Sequence, residues 1–168
     1  MNKLIAGLVI AAALTVGACN SPSDAPPITP EIEGDLSARA IEIVYPELRH
    51  LDMYVRDHLL TVDTLIGDEQ LMPPETRSAI AERFPRAFFV GADEVDLLFT
   101  DDVVTGDGVI ISVGPLEELA TKVVGIPIGV THARYDYFGA IVQFSRSDDE
   151  WRPASSEETG VTVTTAVS

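Results

Sequence analysis

Residues 121–154, TKVVGIPIGVTHARYDYFGAIVQFSRSDDEWRPA, decide the fold class of this chain. Apolar residues alternate with small or polar residues in two runs, and a half-buried β-strand has this period of two because successive side chains point to opposite faces. Turn residues at 132–133 and 147–149 separate the runs, and Trp151 opens a short third strand. We therefore predict an antiparallel meander with these inward-facing positions: Val124, Ile126, Ile128, Val130, Phe138, Ala140, Val142 and Phe144.

The residues before the meander also favour strands. We predict strands at residues 87–90, 95–99 and 109–113, with Gly106-Asp107-Gly108 as a hairpin turn between the last two. Pro127 lies inside a predicted strand, where it lacks a backbone donor. It therefore indicates an edge strand or a bulge.

A helical period precedes the strands. The apolar residues follow one another in steps of three and four, which predicts a helix with one apolar face or, because Pro46 interrupts the run, a second helix that begins at Pro46. A further helix is predicted over about residues 74–84. These positions define the first helical run: Ile41, Val44, Leu48, Leu51, Val55, Leu59, Val62 and Ile66.

Together these elements predict an α+β fold, in which an N-terminal helical hairpin packs on a twisted antiparallel sheet. The predicted domain is single and covers residues 35–155. Residues 156–168 are rich in threonine and serine and are expected to form either a frayed tail or a short edge strand.

The N-terminus has the order of a secretory signal peptide. Lys3 is followed by an uncharged apolar run, residues 4–16, and by the small residues Gly17 and Ala18. Thirteen residues at about 1.5 Å each reach about 20 Å, which is short of the roughly 30 Å hydrocarbon core. We therefore predict a signal peptide over residues 1–18, and no permanent span.

The only cysteine of the chain follows this run. Val16-Gly17-Ala18-Cys19 resembles the lipobox of bacterial lipoproteins, and the resemblance covers residues 1–19. It implies that the Cys19 thiol receives a diacylglyceryl group, that the preceding peptide is removed and that the new N-terminus is acylated. Two or more acyl chains hold a protein stably on a membrane, at about 0.8 kcal/mol for each buried CH₂. An ordinary secretory signal with an incidental cysteine is the alternative.

Residues 19–34 comprise the lipidated cysteine and a proline- and serine-rich tether, which we expect to hold the domain away from the membrane. A loop packed on the domain is the alternative. Lipoproteins retained in the inner membrane often carry aspartate directly after the cysteine, and Asn20 stands there instead. The resemblance therefore implies a bacterial envelope protein that faces the periplasm from the outer membrane.

Charge narrows the set of partners. The chain has 27 acidic and 11 basic side chains, a formal net charge of −16. This charge repels nucleic acid and anionic lipid head groups, so we expect no nucleic-acid partner and attribute membrane attachment to the lipid on Cys19. An envelope protein partner fits the predicted location, and the sequence leaves the oligomeric state open.

No residue pattern predicts catalysis or a cofactor. The only thiol is assigned to lipid, and neither a GxSxG motif nor a glycine-rich nucleotide loop occurs. His50 and His58 lack the i, i+4 spacing of a helical zinc pair, and Asp101, Asp102 and Asp107 lack the pattern of a calcium loop. We interpret these side chains as solvated turn and surface groups and expect no metal site.

One polar and aromatic group merits a ligand hypothesis. His132, Arg134, Tyr135 and Tyr137 cluster near the first hairpin of the meander, where an arginine among acids suits a carboxylate ligand. The alternative is a wet sheet face with aromatic cross-strand neighbours.

The layout of helices followed by hairpins and a tryptophan also resembles the C-terminal half of several uncharacterised bacterial envelope proteins, which implies no activity. We predict a non-catalytic binding or interaction module. A cone-shaped small-ligand-binding or isomerase-type domain and an accessory subunit of an envelope complex are the alternatives.

Overall fold

A computed structural model describes residues 27–46, 51–60, 70–134 and 136–154. The predicted signal peptide, Cys19, most of the predicted tether and the C-terminal segment lie outside these residues. The described chain contains two α-helices and one large, mostly antiparallel sheet. The α+β class is therefore confirmed.

Helix α1 covers Pro30–Val44 and includes the last residues of the predicted tether, 30–34. Two local sequence signals mark its start. Pro30 occupies the first turn, where a missing amide costs little, and the Thr29 hydroxyl accepts a hydrogen bond from the Ile32 N–H at 3.5 Å. That hydroxyl also bonds to the Glu31 carboxylate and lowers the pKa of this group.

Helix α2 covers Pro74–Arg83, as predicted, and packs against α1. The two helices approach closely at Gly34, where a Cβ atom would lie 2.9 Å from the backbone oxygen of Glu75. Arg83 of α2 also reaches α1, at 2.7 Å from Glu42 and 3.2 Å from Asp35. A helical pair therefore exists, but β1 and β2 separate its members in sequence, so the predicted hairpin of consecutive helices is wrong.

The predicted helix beyond Pro46 is wrong as well, because strand β1 covers Met53–Leu59. The ladder of β1 with its neighbour shifts register between Val55 and Leu59. Residues four positions apart share one face of a strand, as they do of a helix, so the buried pair Val55 and Leu59 fits both periods. Met53, Val55 and Leu59 are all buried in the core beneath the helices.

Ten strands form one sheet within the described residues, in the path β10-β9-β8-β6-β1-β2, with β3 on β1 and with β5 and β7 on β8. Strand β1 runs parallel to β3 and β6, so the sheet is mixed rather than purely antiparallel. The other strands are β2 Gln70–Leu71, β3 Ala87–Val90, β4 Phe99–Thr100, β5 Val103–Val104, β6 Val109–Val113, β7 Glu117–Ala120, β8 Val123–Ala133, β9 Asp136–Ser147 and β10 Glu150–Pro153.

The meander of β8, β9 and β10 confirms the central prediction. Upstream, the predicted strand at 95–99 is wrong, because Val95–Leu98 form a 3₁₀ turn and only Phe99 belongs to a strand. The predicted hairpin at Gly106-Asp107-Gly108 is also wrong. The tight turn is at Asp101-Asp102, between β4 and β5, and both aspartates have positive φ, as a two-residue hairpin loop requires.

Pro127 lies in a central strand, not at an edge. Its carbonyl accepts a hydrogen bond from the Gly114 N–H at 2.7 Å. In a strand the N–H and C=O of one residue point to the same side, so the side on which Pro127 lacks a donor faces the break between β6 and β7. The ladder between β8 and β9 therefore loses no hydrogen bond at Pro127.

Helices α1 and α2 lie on one face of the sheet. Apolar side chains fill the space between the helices and the sheet, including Phe144, Leu36, Ile41, Met53 and Ile80. We call the opposite side of the sheet the second face. It carries only a small buried cluster, which consists of Val90, Val95, Val104 and Ile110. The two faces of the sheet are thus unequally covered in the described chain.

Candidate functional site

The predicted ligand group does not converge in its described members. The ring of His132 lies 5.4 Å from the ring of Tyr45, a residue packed against the core beneath the helices. Arg134 lies over the ring of Phe99, at 4.9 Å, and Phe99 packs against the small cluster. The two side chains therefore contact different clusters. Tyr135 and the side chain of Tyr137 lie outside the described residues.

Arg134 is held by acids. Its guanidinium lies 3.1 Å from Asp102 and 3.4 Å from Asp96, and its backbone N–H donates to the Asp102 carbonyl at 2.8 Å. These contacts, together with the ring of Phe99, fasten the end of β8 to the β4–β5 hairpin. The observed role of this arginine is to connect two hairpins.

A groove of about 880 Å³ runs along α1 and α2. Its charged lining consists of four acids and Arg83, and Arg83 already pairs with acids of α1. Asp35, one of the four acids, pairs with Arg83, so this groove has more carboxylates than cations in its lining. Its lining is Glu31, Asp35, Pro74, Glu75, Ser78, Ala79, Glu82 and Arg83.

A second groove, of about 350 Å³, separates α1 from the β9–β10 hairpin. Arg39 donates to the Trp151 carbonyl at 2.9 Å and lies 5.1 Å from the centre of the Phe144 ring. Arg146 lies over the Trp151 ring and bonds to Asp149 at 2.9 Å. Arg39 thus joins the hairpin to α1, whereas these contacts of Arg146 lie within the hairpin.

The acids and histidines considered for metal binding have other roles. Asp101, Asp102 and Asp107 all have positive φ, so they occupy turn positions that few other residues tolerate. His58 lies on β1, where its Nδ1 contacts the Asp57 carboxylate, and His50 lies outside the described residues. Among the residues that the structure describes, no group of three or more potential ligands is placed to hold a metal ion.

The second face carries exposed large apolar side chains, and sequence reasoning did not single these out. Phe88 is 53% exposed, and its ring lies 5.8 Å from the ring of Tyr54, which packs against the small cluster. Leu119 and Ile141 pack over Gly125, where a Cβ atom would lie 2.8 and 2.9 Å from their side chains. The available signal was the alternation of β8 and β9, because it places Ile141 on the face opposite the predicted core residues.

Gln143 lies beside this apolar pair. It is the register partner of Gly125 and is only 9% exposed. Among the described residues, neither its amide nitrogen nor its amide oxygen has a hydrogen-bond partner. Burial of an unpaired amide costs about 1 to 3 kcal/mol, which a polar partner on this face would recover.

The β9–β10 hairpin, which lies beside Gln143, contains an ion pair between Glu150 and Arg152 that can be tested. A hydrogen bond from Arg152, together with its positive charge, lowers the pKa of the Glu150 carboxyl. Because the pKa of Glu150 is lowered in the folded state, the pairing stabilises the fold at pH values above the unfolded-state pKa. This stabilisation is lost as the pH falls through the folded-state pKa. We expect Arg152→Ala to move the Glu150 pKa upward in an NMR titration. An unchanged Glu150 titration in this variant would contradict the pairing.

Within the described residues, neither helix has the length and apolarity that a membrane crossing requires. Comparisons of the chain with protein-family models, with curated proteins and with solved structures gave no match.

Proposed function

We propose that this protein is a lipid-anchored lipoprotein of the bacterial envelope that faces the periplasm, from the outer membrane, and acts as a non-catalytic binding or interaction module. The anchor is Cys19, whose position after a short apolar run supports acylation. The module is the domain that includes α1, α2 and the sheet.

The contrast between the two faces of the sheet carries the interaction part of this proposal. Beneath the helices the interior is filled, and Leu36, Ile41 and Phe144 are at most 1% exposed. On the second face, Phe88, Leu119 and Ile141 expose large apolar surface. A filled interior favours protein contact over a ligand chamber, and exposed apolar side chains on a sheet face are typical of contact surfaces.

The cone-shaped alternative requires a hollow between the helices and a curved sheet, with a buried acid or histidine inside it. The observed side chains in that position are apolar and tightly buried. The alternative of an accessory subunit of an envelope complex differs from this proposal only in that the partner is bound permanently. The exposed apolar residues could form the contact in both cases.

A photo-activated crosslinker at Leu119 tests the module in cells. We expect irradiation to join the anchored protein to an envelope protein, because Leu119 is exposed on the second face. The matched control places the crosslinker at Ser78, an exposed residue of α2 on the other side of the sheet. Adducts of equal yield at both positions, or stabilisation by a small molecule with no adduct at Leu119, would refute protein contact through this face.

A further inference from the structure

Within the described residues, strand β9 has an outer edge that is only partly paired. Its inner edge pairs with β8 from Asp136 to Ser145, but β10 pairs with its outer edge only from Phe144 to Ser147. One further hydrogen bond joins the Ala154 N–H to the Gln143 carbonyl at 2.9 Å. Along residues 136–142, no strand of the described chain lies on the outer side.

The direction of each backbone group on this edge follows from the ladder. The Gln143 carbonyl points outward, because it accepts from Ala154. The register with β8 is uniform from Tyr137 to Ser145, so the directions alternate along this stretch without interruption. The N–H and C=O groups of Tyr137, Gly139 and Ile141 therefore also point outward, where the described chain supplies no strand to pair with them.

Such an edge is normally protected. Natural sheets cover their edges or place lysine, proline or a bulge on them, since an open edge is a template for another strand. Residues 137–142 contain none of these residues, and Asp136 at their start is the only acid. The ladder is regular here, so this edge retains full capacity for pairing.

The residues of β9 on the second face determine which side chains an added strand would need at this edge. Gly139 is the register partner of Gly129 in β8, so two neighbouring positions have no side chain. Gly129 is buried and Gly139 is partly buried, while Ile141 beside them is 37% exposed. A bulky apolar side chain opposite Gly139 would pack over this glycine, as aromatic residues do for glycine in paired strands.

We propose that the outer edge of β9, residues 136–142, receives an extended segment of another envelope protein as an added antiparallel strand. This proposal rests on the interaction function proposed above and specifies how the partner is held. Hydrogen bonds to Tyr137, Gly139 and Ile141 bind the backbone, and a bulky apolar residue lies opposite Gly139. A lysine or arginine at the C-terminal end of the segment meets Asp136, which complements the strongly acidic chain.

Amide hydrogen exchange on the full mature protein in detergent micelles tests this site. In the free protein, the amides of Gly139 and Ile141 should exchange at least 100-fold faster than those of Ala140 and Val142, which point toward β8. The probe is a nine-residue peptide of alternating valine and threonine with a central phenylalanine and two C-terminal lysines. We expect it to slow exchange at Gly139 and Ile141 at least tenfold. The same peptide N-methylated at alternate amides should have no effect, because it cannot pair.

A proline variant provides the genetic test. Ile141→Pro removes a donor that points outward and not toward β8, so it should raise the Kd for the peptide at least tenfold, whereas Ile43→Val, at an exposed position of α1, should leave the Kd unchanged. The N-methylated peptide keeps the proposal falsifiable if the proline variant does not fold. A Kd that is unchanged in folded Ile141→Pro would overturn it.

The remaining outcomes identify other occupants. If Gly139 and Ile141 are already protected in a free protein of monomeric mass, the chain itself covers the edge, and if the mass is doubled, a second copy does. Either result overturns the proposal. If crosslinking at Leu119 gives adducts but the peptide does not protect the Gly139 amide from exchange, strand addition is refuted and the proposed function stands. If crosslinking at Leu119 gives no adducts, the proposed function itself is refuted.

Discussion

Cys19→Ser is expected to leave an unprocessed chain that retains residues 1–18 and takes up no labelled fatty acid. The lipobox resemblance assigns the acyl-accepting thiol to Cys19, and the chain has no second cysteine that replaces it. A hydroxyl is a far weaker nucleophile than a thiol, so transfer of the diacylglyceryl group fails and cleavage does not follow. Metabolic labelling with a radioactive fatty acid and gel mobility of the precursor measure both steps.

The matched control for this prediction is Gly17→Ala. Alanine is small and is more usual than glycine at this position of a lipobox, so labelling and cleavage should continue at the unmodified level. Normal maturation and membrane retention in Cys19→Ser would show that the thiol is incidental and that the apolar run is an ordinary signal.

Ile41→Ala should lower the free energy of unfolding by about 2 to 5 kcal/mol, because it leaves a cavity beneath α1. Ile41 has 0% exposure and belongs to the core cluster that α1 forms with the sheet. This loss is a large part of the total stability of a typical domain, about 5 to 15 kcal/mol. Denaturant unfolding followed by circular dichroism measures the difference.

Ile43→Ala is the control, since it is the same substitution on the same helix at a residue that is 45% exposed. We expect it to change the free energy of unfolding by less than about 0.5 kcal/mol. Equal losses in the two variants would mean that α1 does not dock on the sheet through the face that contains Ile41.

The parts of the fold that sequence predicts correctly are those where one local rule decides. The alternation of Val124, Ile126 and Ile128 has a single explanation, because every one of these residues enters the same core. Helix α2 begins at paired prolines and ends before Pro85, so its boundaries follow from backbone chemistry.

Strand β1 shows why the rest could not be predicted. Its pairing with β3 and β6 joins segments far apart in sequence, and no local pattern encodes this ladder. The four-residue spacing of Val55 and Leu59 also fits a strand and a helix equally well, so it does not distinguish the two. The start of α1 was concealed differently, since its buried face includes the small residues Gly34, Ser37 and Ala38, which give a weak apolar period.

The candidate site, like the fold, was predictable from sequence only in part. Sequence reasoning identified His132 and Arg134 by residue type, but their partners, Tyr45 and Phe99, are set by the tertiary fold. Exposure of Ile141 and the open edge of β9 depend on where β10 ends, which is decided by pairing and not by composition. The surface that we propose for partner binding is therefore visible only in the folded chain.

The central claim is that the mature protein begins at an acylated Cys19. Intact-mass analysis of the protein purified from native membranes tests it most directly. We predict a chain that starts at Cys19 and lacks the 18 residues before it, with added mass from a diacylglyceryl group and an N-terminal acyl chain. A species that still begins at Met1, or one that starts elsewhere and carries no fatty acid, would contradict the account.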